Sequence, residues 1–297
     1  MIRQQIKEII ESRVSQNSLE ETGLTGVQLI HVTQPISCAP AVYEPTVVAI
    51  VRGVKEAIFD GRSYVYDSSR YLCCPMSMPV EAGTPKASPE HPLLGVKIDL
   101  DTKIMSSLAR EMDIAGGVFR RTRGDYSKTG LILARWDDAF SEALLRLLKL
   151  MDRPTDLAIL KEARLRELYY AILKGDAGES ARRAFSGGNE IARAIELMSQ
   201  NIDRAVTIEE IAQQVGMSRA VFHRKFKQAT TMSPIQFMKS MKLNNAAMKL
   251  AGGMNVNEAA MGVGYVSSSQ FSREFKRMYG QSPRQWSQSL QLPPGMI

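Results

Sequence analysis

The chain has 297 residues, 44% of them apolar and 23% charged, with a formal net charge of +7. That is globular composition with room for two domains of about 100 to 200 residues each, and it excludes wholesale disorder, a collagen-like repeat and a disulfide scaffold. No stretch approaches the roughly 18 uninterrupted apolar residues of a membrane helix, and the charged start MIRQQIKEIIESRVSQ has no apolar core of a signal peptide, so a cytoplasmic location with no membrane partner is expected. Cys38, Cys73 and Cys74 are an odd set containing two sequence neighbours, which argues for free thiols in a reducing compartment.

In chain order, residues 42 to 100 read as short strands separated by turn signals. VVAIV (Val47 to Val51) is a β-branched run ended by Gly53, and KEAIF-DG-RSYVY is a hairpin about Asp60-Gly61. YLCC before Pro75 and LLGVKIDL from Leu93 continue the pattern, suggesting a barrel or sandwich able to enclose a pocket. Neighbouring strand residues point to opposite faces, so one of Cys73 and Cys74 is expected to face inward. That thiol is a candidate for effector or redox sensing, the alternative being a buried cysteine that acts as a small hydrophobe.

Helical patterns follow at Trp136 to Met151 and Asp156 to Leu173, each with an apolar face that could close the barrel, pair subunits in a homodimer, or both. GDAGESARRAFSGG, residues 175 to 188, is rich in small residues without sustained apolar periodicity, and we place the domain connection there. Outside the basic C-terminal third the only histidines are His31 and His91, far apart and without clustered partners, so neither a metal nor another cofactor is expected. No Gly-rich phosphate loop or nucleophile elbow is present, which makes an enzyme an unfavoured reading.

The charge lies at the C-terminal end. Residues 1 to 185 hold 25 basic and 24 acidic side chains, whereas residues 186 to 297 hold 13 and 7. Between Arg219 and Arg284 there are 11 basic residues against Glu258 and Glu274, a field that attracts phosphate. This region is also duplicated: Ala212, Val215 and Gly216 recur 48 residues later as Ala260, Val263 and Gly264, and Phe222, Phe226, Ser233-Pro234 and Phe237 recur 49 later as Phe271, Phe275, Ser282-Pro283 and Trp286. One residue has been added after the second glycine.

Each copy reads as two helices around a tight turn. Ile208, Ile211, Ala212 and Val215 share a face, Gly216 takes the left-handed cap position, and Ser218 can cap the next helix. Small Ala212 suits the close crossing of a helix-turn-helix. With Phe222, Phe226 and Ala229 buried, Arg219, Ala220, His223, Arg224 and Lys227 point outward. In the second copy Phe271, Phe275 and Met278 are expected inside and Ser268, Ser269, Ser272, Arg273 and Lys276 outside. Both outward faces are polar and basic, as major-groove reading requires. SPIQFMKSMKLNNAAMKL (Ser233 to Leu250) is the connecting helix, with Pro234 at its first turn and a stop at Gly252-Gly253. Its length of roughly 27 Å, plus the width of the flanking units, brings the two reading helices within reach of the ~34 Å repeat of B-DNA.

At these residues the chain resembles a known family. GMSRAVFHRKFKQATTMSPIQF followed by GYVSSSQFSREFKRMYGQSPRQW is similar to the double helix-turn-helix domain of AraC/XylS bacterial transcription regulators, over about residues 189 to 288. The resemblance implies base contacts from Ala220, His223 and Arg224 in the first reading helix and from Ser268, Ser269, Ser272 and Arg273 in the second. Arg219, Lys227 and Lys276 are the phosphate candidates. Where the family has Arg-Leu and Leu-Leu pairs in the connecting helix, this chain has Lys242-Leu243 and Lys249-Leu250. About residues 20 to 175 are similar to the N-terminal domain of one subset of these regulators, which implies a cupin-like β-barrel followed by helices.

The expected fold is therefore α+β: an effector-sensing and oligomerisation domain at 1–174, a connection at 175–188, and an all-α DNA-binding domain at 189–297. The expected function is promoter recognition on double-stranded DNA, governed by a small-molecule effector and acting by recruiting or blocking RNA polymerase. Two alternatives stand beside it: nonspecific architectural DNA binding, and an enzyme carrying a DNA-binding appendage, such as a repair alkyl acceptor, for which three cysteines are too few.

Overall fold

In the computed structural model, which describes residues 2–15, 17–116, 130–185, 189–204 and 206–289, the N-terminal half folds as two facing sheets with helices on one side. Helix α1 (Ile2–Glu11) leads into β1 (Ser18–Glu21), β2 (Val27–Val32), β3 (Ile36–Tyr43), β4 (Thr46–Arg52), β5 (Val54–Phe59), β6 (Arg62–Asp67), β7 (Arg70–Cys74), β8 (Met78–Thr84) and β9 (Leu93–Asp99). After α2 (Thr102–Gly116) come β10 (Ile132–Arg135), α3 (Asp138–Leu148), a short 3-10 turn (Lys149–Asp152), α4 (Pro154–Lys174) and α5 (Gly178–Phe185). The larger sheet has the order β1-β2-β9-β4-β7-β10 and the smaller β3-β8-β5-β6, with all pairs antiparallel.

Period-two patterning assigns the faces of the large sheet. Val47, Ala49, Tyr71, Cys73, Leu94, Val96 and Ile98 turn toward α1, α3 and α4 and form one core with Phe140, Leu144, Leu168 and Ile172. Val48, Ile50, Leu72 and Cys74 turn the other way, into the barrel, against Ala41, Ala57, Phe59, Val80 and Ala82 of the small sheet. The expected opposition of Cys73 and Cys74 is thus realised. Asp60 and Gly61 both have positive φ, 49° and 73°, the geometry that a two-residue Asp-Gly hairpin requires.

The connection expected at 175–188 is mostly structured. Gly178–Phe185 forms α5, and Ala181 and Phe185 join the N-terminal core. Small residues hid this helix, because alanine packs tightly without creating a visible apolar stripe. Residues 186–188 lie outside the described residues.

The C-terminal half contains α6 (Glu190–Gln200), α7 (Ile208–Gln214), α8 (Arg219–Thr230), α9 (Pro234–Ala251), α10 (Val256–Met261), α11 (Ser268–Tyr279) and α12 (Pro283–Ser289). Helix α9 connects the two units and also lies on the barrel at β3 and β8. Its Asn244, only 3% exposed, donates from Nδ2 to the carbonyls of Ala41 and Val80 at 2.8 Å each and accepts at Oδ1 from the Tyr279 hydroxyl at 2.7 Å. The Val42 amide donates to Met248 Sδ at 3.2 Å, and Thr231 Oγ1 donates to Asp60 Oδ2 at 2.7 Å. The apolar cluster filling the barrel continues into Ile211, Phe222, Phe226, Phe237 and Met241 of the first helix-turn-helix.

Candidate nucleic-acid interface and effector chamber

The two helix-turn-helix units are built by the same local chemistry. Thr207 and Glu210 form a reciprocal capping box at the start of α7, and Asn255 caps α10 by accepting from the Glu258 amide. Gly216 and Gly264 have φ of +72° and +75°, and the following amides, Met217 and Tyr265, donate back to the carbonyls of Ala212 and Ala260 at 2.9 and 3.0 Å. These are paired Schellman closures. Ala212 and Ala260 are each 1% exposed at the crossings. Ser267 caps α11 through the Gln270 amide, whereas Ser218 holds the cap conformation of α8 without a side-chain hydrogen bond.

Phe222, Phe226, Phe271 and Phe275 are fully buried, as their spacing implied. Met278 is not: it is 41% exposed, and Tyr279 takes the expected place, edge-on to Phe275 and tilted against Trp286, with its hydroxyl satisfied by Asn244. The tyrosine wins because its ring packs and its polar end has a partner.

On the outward faces Ala220, Arg224, Lys227, Ser268, Ser269, Arg273 and Lys276 are exposed, while His223 and Ser272 are half-buried. Arg224, Lys227, Arg273 and Lys276 make no side-chain hydrogen bond or ion pair with any described residue, so their charge is directed at solvent. Arg219 is paired with Glu209 at 3.0 Å. Ser268 Oγ donates to Asn257 Oδ1 at 3.1 Å, and the Ser267 and Ser269 hydroxyls bond at 2.9 Å. His223 departs most from expectation, since its Nε2 is buried and unpartnered and its ring stands edge-on to Phe222.

The two lysines of the connecting helix have a structural task. Lys249 Nζ donates to the Gly262 carbonyl at the end of α10 at 2.8 Å, and Lys242 Nζ donates to the Arg204 carbonyl at 3.3 Å. At Gly262 the Lys249 cation meets the unsatisfied carbonyls and the negative dipole end of α10, whereas Lys242 ties α9 to the loop after α6.

Inside the barrel the chemistry differs. Lys55 is 4% exposed, on the inner face of β5 with Ala57 and Phe59, and burial pulls its ammonium pKa down to about 8. Tyr43, Tyr66 and Thr84 are 5%, 2% and 0% exposed, and the Tyr43 and Tyr66 hydroxyls face each other. Sequence reasoning passed over Lys55, although the alternation of KEAIF places it in phase with the inward set. Cys73 and Cys74 are both fully buried; burial pushes the Cys73 thiol up to about 12 and the Cys74 thiol well above its ordinary range, with Cys73 beside it adding to the rise. A reactive thiol needs the opposite shift. Between barrel and α6 lies a cleft of about 390 Å³ whose lining includes Glu44, Ser77 and Arg193, with Glu44 accepting from Ser77 and from Ser199 of α6.

A β-barrel docked on duplicated helix-turn-helix units with exposed arginines and lysines on their outward faces defines a DNA-binding transcription regulator. Comparison with known proteins agrees: residues 23–180 match the model of the AraC-type transcriptional regulator N-terminus, and residues 211–289 match a helix-turn-helix domain. The chain belongs to the AraC/XylS family of transcriptional regulators. Over 104 residues, 35% of this chain and 32% of the relative, it is 31% identical to the HTH-type transcriptional regulator ArgR of Pseudomonas aeruginosa. Over 101 residues, 34% of this chain, it is 29% identical to the regulatory protein SoxS of Salmonella typhimurium, covering 94% of it. The matches span between about a third and a half of the length of most such relatives. The fold resembles that of ToxT from Vibrio cholerae, solved with an unsaturated fatty acid bound, at a TM-score of 0.56 and 13% identity over 89% of this chain and 95% of that one.

Proposed function

We propose that this chain is a sequence-specific transcription regulator that lays α8 and α11 into two successive major-groove segments of promoter DNA. The observation that carries this reading is the repetition: two units with the same glycine turn, the same buried phenylalanine pair, and Arg224 and Arg273 at equivalent exposed positions without a partner among the described residues. Each arginine can bond a guanine edge in bidentate fashion, worth about 1 to 3 kcal/mol of discrimination. Ala220, Ser268, Ser269 and Ser272 supply smaller contacts, Lys227 and Lys276 reach phosphate, and Arg219 joins them after leaving Glu209. His223 contributes once its ring turns outward.

The barrel domain binds the small molecule that sets the output, a role supported by the fatty acid bound to ToxT. RNA polymerase recruitment or exclusion and self-association through the N-terminal helices complete the reading, in a cytoplasmic setting. The test is a footprint of the purified protein on DNA flanking its own gene, beside Arg224→Ala and Arg273→Ala. Discrete protection over about two helical turns, lost in both variants, supports the proposal. Uniform protection unaffected by either change refutes it in favour of nonspecific binding.

A further inference from the structure

The two helix-turn-helix units differ by one residue, and the difference falls at the mouth of the second reading helix. In the first unit the turn glycine, Gly216, is followed by Met217 and then by the cap residue Ser218. In the second, Gly264 is followed by Tyr265, by the additional Val266, and only then by the cap residue Ser267.

An apolar residue ahead of a helix cap commonly packs on the fourth residue of the helix and fixes the entry of the chain. Met217 holds that place in the first unit: it is half-buried and joins the apolar cluster that contains Phe222. In the second unit the corresponding pair would be Val266 and Phe271, yet it is Tyr265 whose ring stands edge-on to Phe271, with centroids 5.3 Å apart. Tyr265 is fixed further by its hydroxyl, which donates to Glu274 Oε2 at 2.9 Å, and Glu274 is paired with Lys239 of α9 at 3.0 Å. On the other side of Val266, Ser267 Oγ is engaged by the Gln270 amide at 3.3 Å. Both neighbours of Val266 are therefore committed to the fold, and Val266 itself is left fully exposed, more so than any other large apolar side chain among the described residues.

A lone exposed valine is ordinary on a protein surface. What sets this one apart is that it is the single residue by which the second unit exceeds the first, that it neither packs nor caps, and that it stands at the N-terminal end of a reading helix, the end that reaches base edges. The residues around it are polar: Ser267, Ser268 and Ser269 are exposed, and Ser268 Oγ donates to Asn257 of α10. So small an apolar spot is no docking surface for another protein. In the major groove the apolar feature is the C5 methyl group of thymine, and a wetted valine gains when that methyl is set against it. Valine is stiff at its first side-chain torsion, so it presents its methyl groups with little rotamer freedom to lose.

We propose that Val266 is a base-reading residue of the second unit, placed against the C5 methyl of a thymine. This inference rests on the DNA reading proposed above and adds a difference between the two units. The thymine marks the half-site of the second unit and fixes which way the chain faces along the promoter.

Fluorescence anisotropy of the full chain on its footprinted site tests the assignment, with each thymine replaced singly by deoxyuridine. That exchange removes the methyl group and leaves base pairing and the groove donors and acceptors unchanged. The half-site of the second unit is located by the base pair at which Arg273→Ala relaxes preference. The expected result is that one thymine there weakens binding about fourfold on exchange, the worth of one methyl group taken out of water. In Val266→Ser that exchange costs nothing, while the melting temperature stays at that of the parent because the side chain supports no packing. Met278→Ser, an exposed apolar residue at the other end of α11, keeps the fourfold effect. A second half-site without a thymine overturns the proposal, as does indifference to deoxyuridine throughout that half-site in the parent chain, or a fourfold effect that persists in Val266→Ser. In each of these cases a discrete footprint leaves the DNA reading standing. Absence of a discrete footprint removes the DNA reading and the proposal with it.

Discussion

Asn244→Ala isolates the bond network by which the barrel holds the DNA-binding half. The side chain is 3% exposed and makes three hydrogen bonds, to the carbonyls of Ala41 and Val80 and from the Tyr279 hydroxyl. The carbonyls belong to paired strands and keep a second lone pair for the ladder, so each loses about 1 kcal/mol. The tyrosine hydroxyl, at the end of the second reading helix, is left buried without a partner, which costs about 1 to 3 kcal/mol. The sum of about 3 to 5 kcal/mol falls on a contact between the two halves. Thermal unfolding should therefore separate into two transitions, the lower one down by about 6 to 20 °C at 2 to 4 °C per kcal/mol. Amide exchange should accelerate in β3, β8 and the end of α11. Asn244→Asp retains the acceptor for Tyr279 but sets a carboxylate against two carbonyl oxygens, so it should be worse than alanine. Unchanged melting and exchange in Asn244→Ala would refute the reasoning.

Four further outcomes are expected. The folded pKa of Lys55, about 8, lies below its ordinary 10.5, so between those pH values the unfolded chain holds a proton that the folded chain has released. Stability should therefore rise with pH through that window, by at most about 3 kcal/mol at 1.36 kcal/mol per unit, and Lys55→Met should abolish the rise in chemical denaturation curves recorded from pH 7 to 10. Gly264→Ala should destabilise more than Gly216→Ala in urea: both positions have positive φ, costing about 1 to 2 kcal/mol, but only at Gly264 would a Cβ meet backbone, the Asp203 carbonyl at 3.0 Å. Lys276→Ala should weaken DNA binding evenly across sequences and reduce the salt slope by about one, whereas Arg273→Ala should relax preference at one base pair, measured by fluorescence anisotropy on a panel of single-base variants. Cys73 and Cys74 should resist alkylation by iodoacetamide at pH 7.5 in the folded chain and react on unfolding; rapid native labelling would restore the sensing role.

Much of the molecule was legible in one dimension because its signals are local. The Asp60-Gly61 hairpin, the alternation in VVAIV and YLCC, and the duplicated glycine turns each depend on backbone geometry that a few neighbouring residues impose. The repeat added a second reading of the same pattern, so the faces of α8 and α11 followed from where Phe222, Phe226, Phe271 and Phe275 had to go. The family assignment rests on the same residues. Helix α5 escaped because alanine and glycine carry little apolar contrast, and Met278 was misplaced because its competitor Tyr279 is chosen by a partner 35 residues away.

What the tertiary structure alone decided concerns groups whose meaning depends on distant partners. Nothing near Asn244 in sequence indicates that its amide meets β3 and β8, and nothing near Lys242 or Lys249 indicates that they bond the carbonyls of Arg204 and Gly262. His223 and Arg224 are adjacent and equally polar, yet one has a buried ring nitrogen and the other is exposed, because helix rotation and packing against neighbouring elements set their environments. Lys55 had the right phase to be seen, but its burial without an acidic neighbour among the described residues emerges only when four strands are brought into register. Chain-local geometry is written in short-range sterics and hydrogen bonding, whereas the burial and pairing of a charge are properties of the assembled interior.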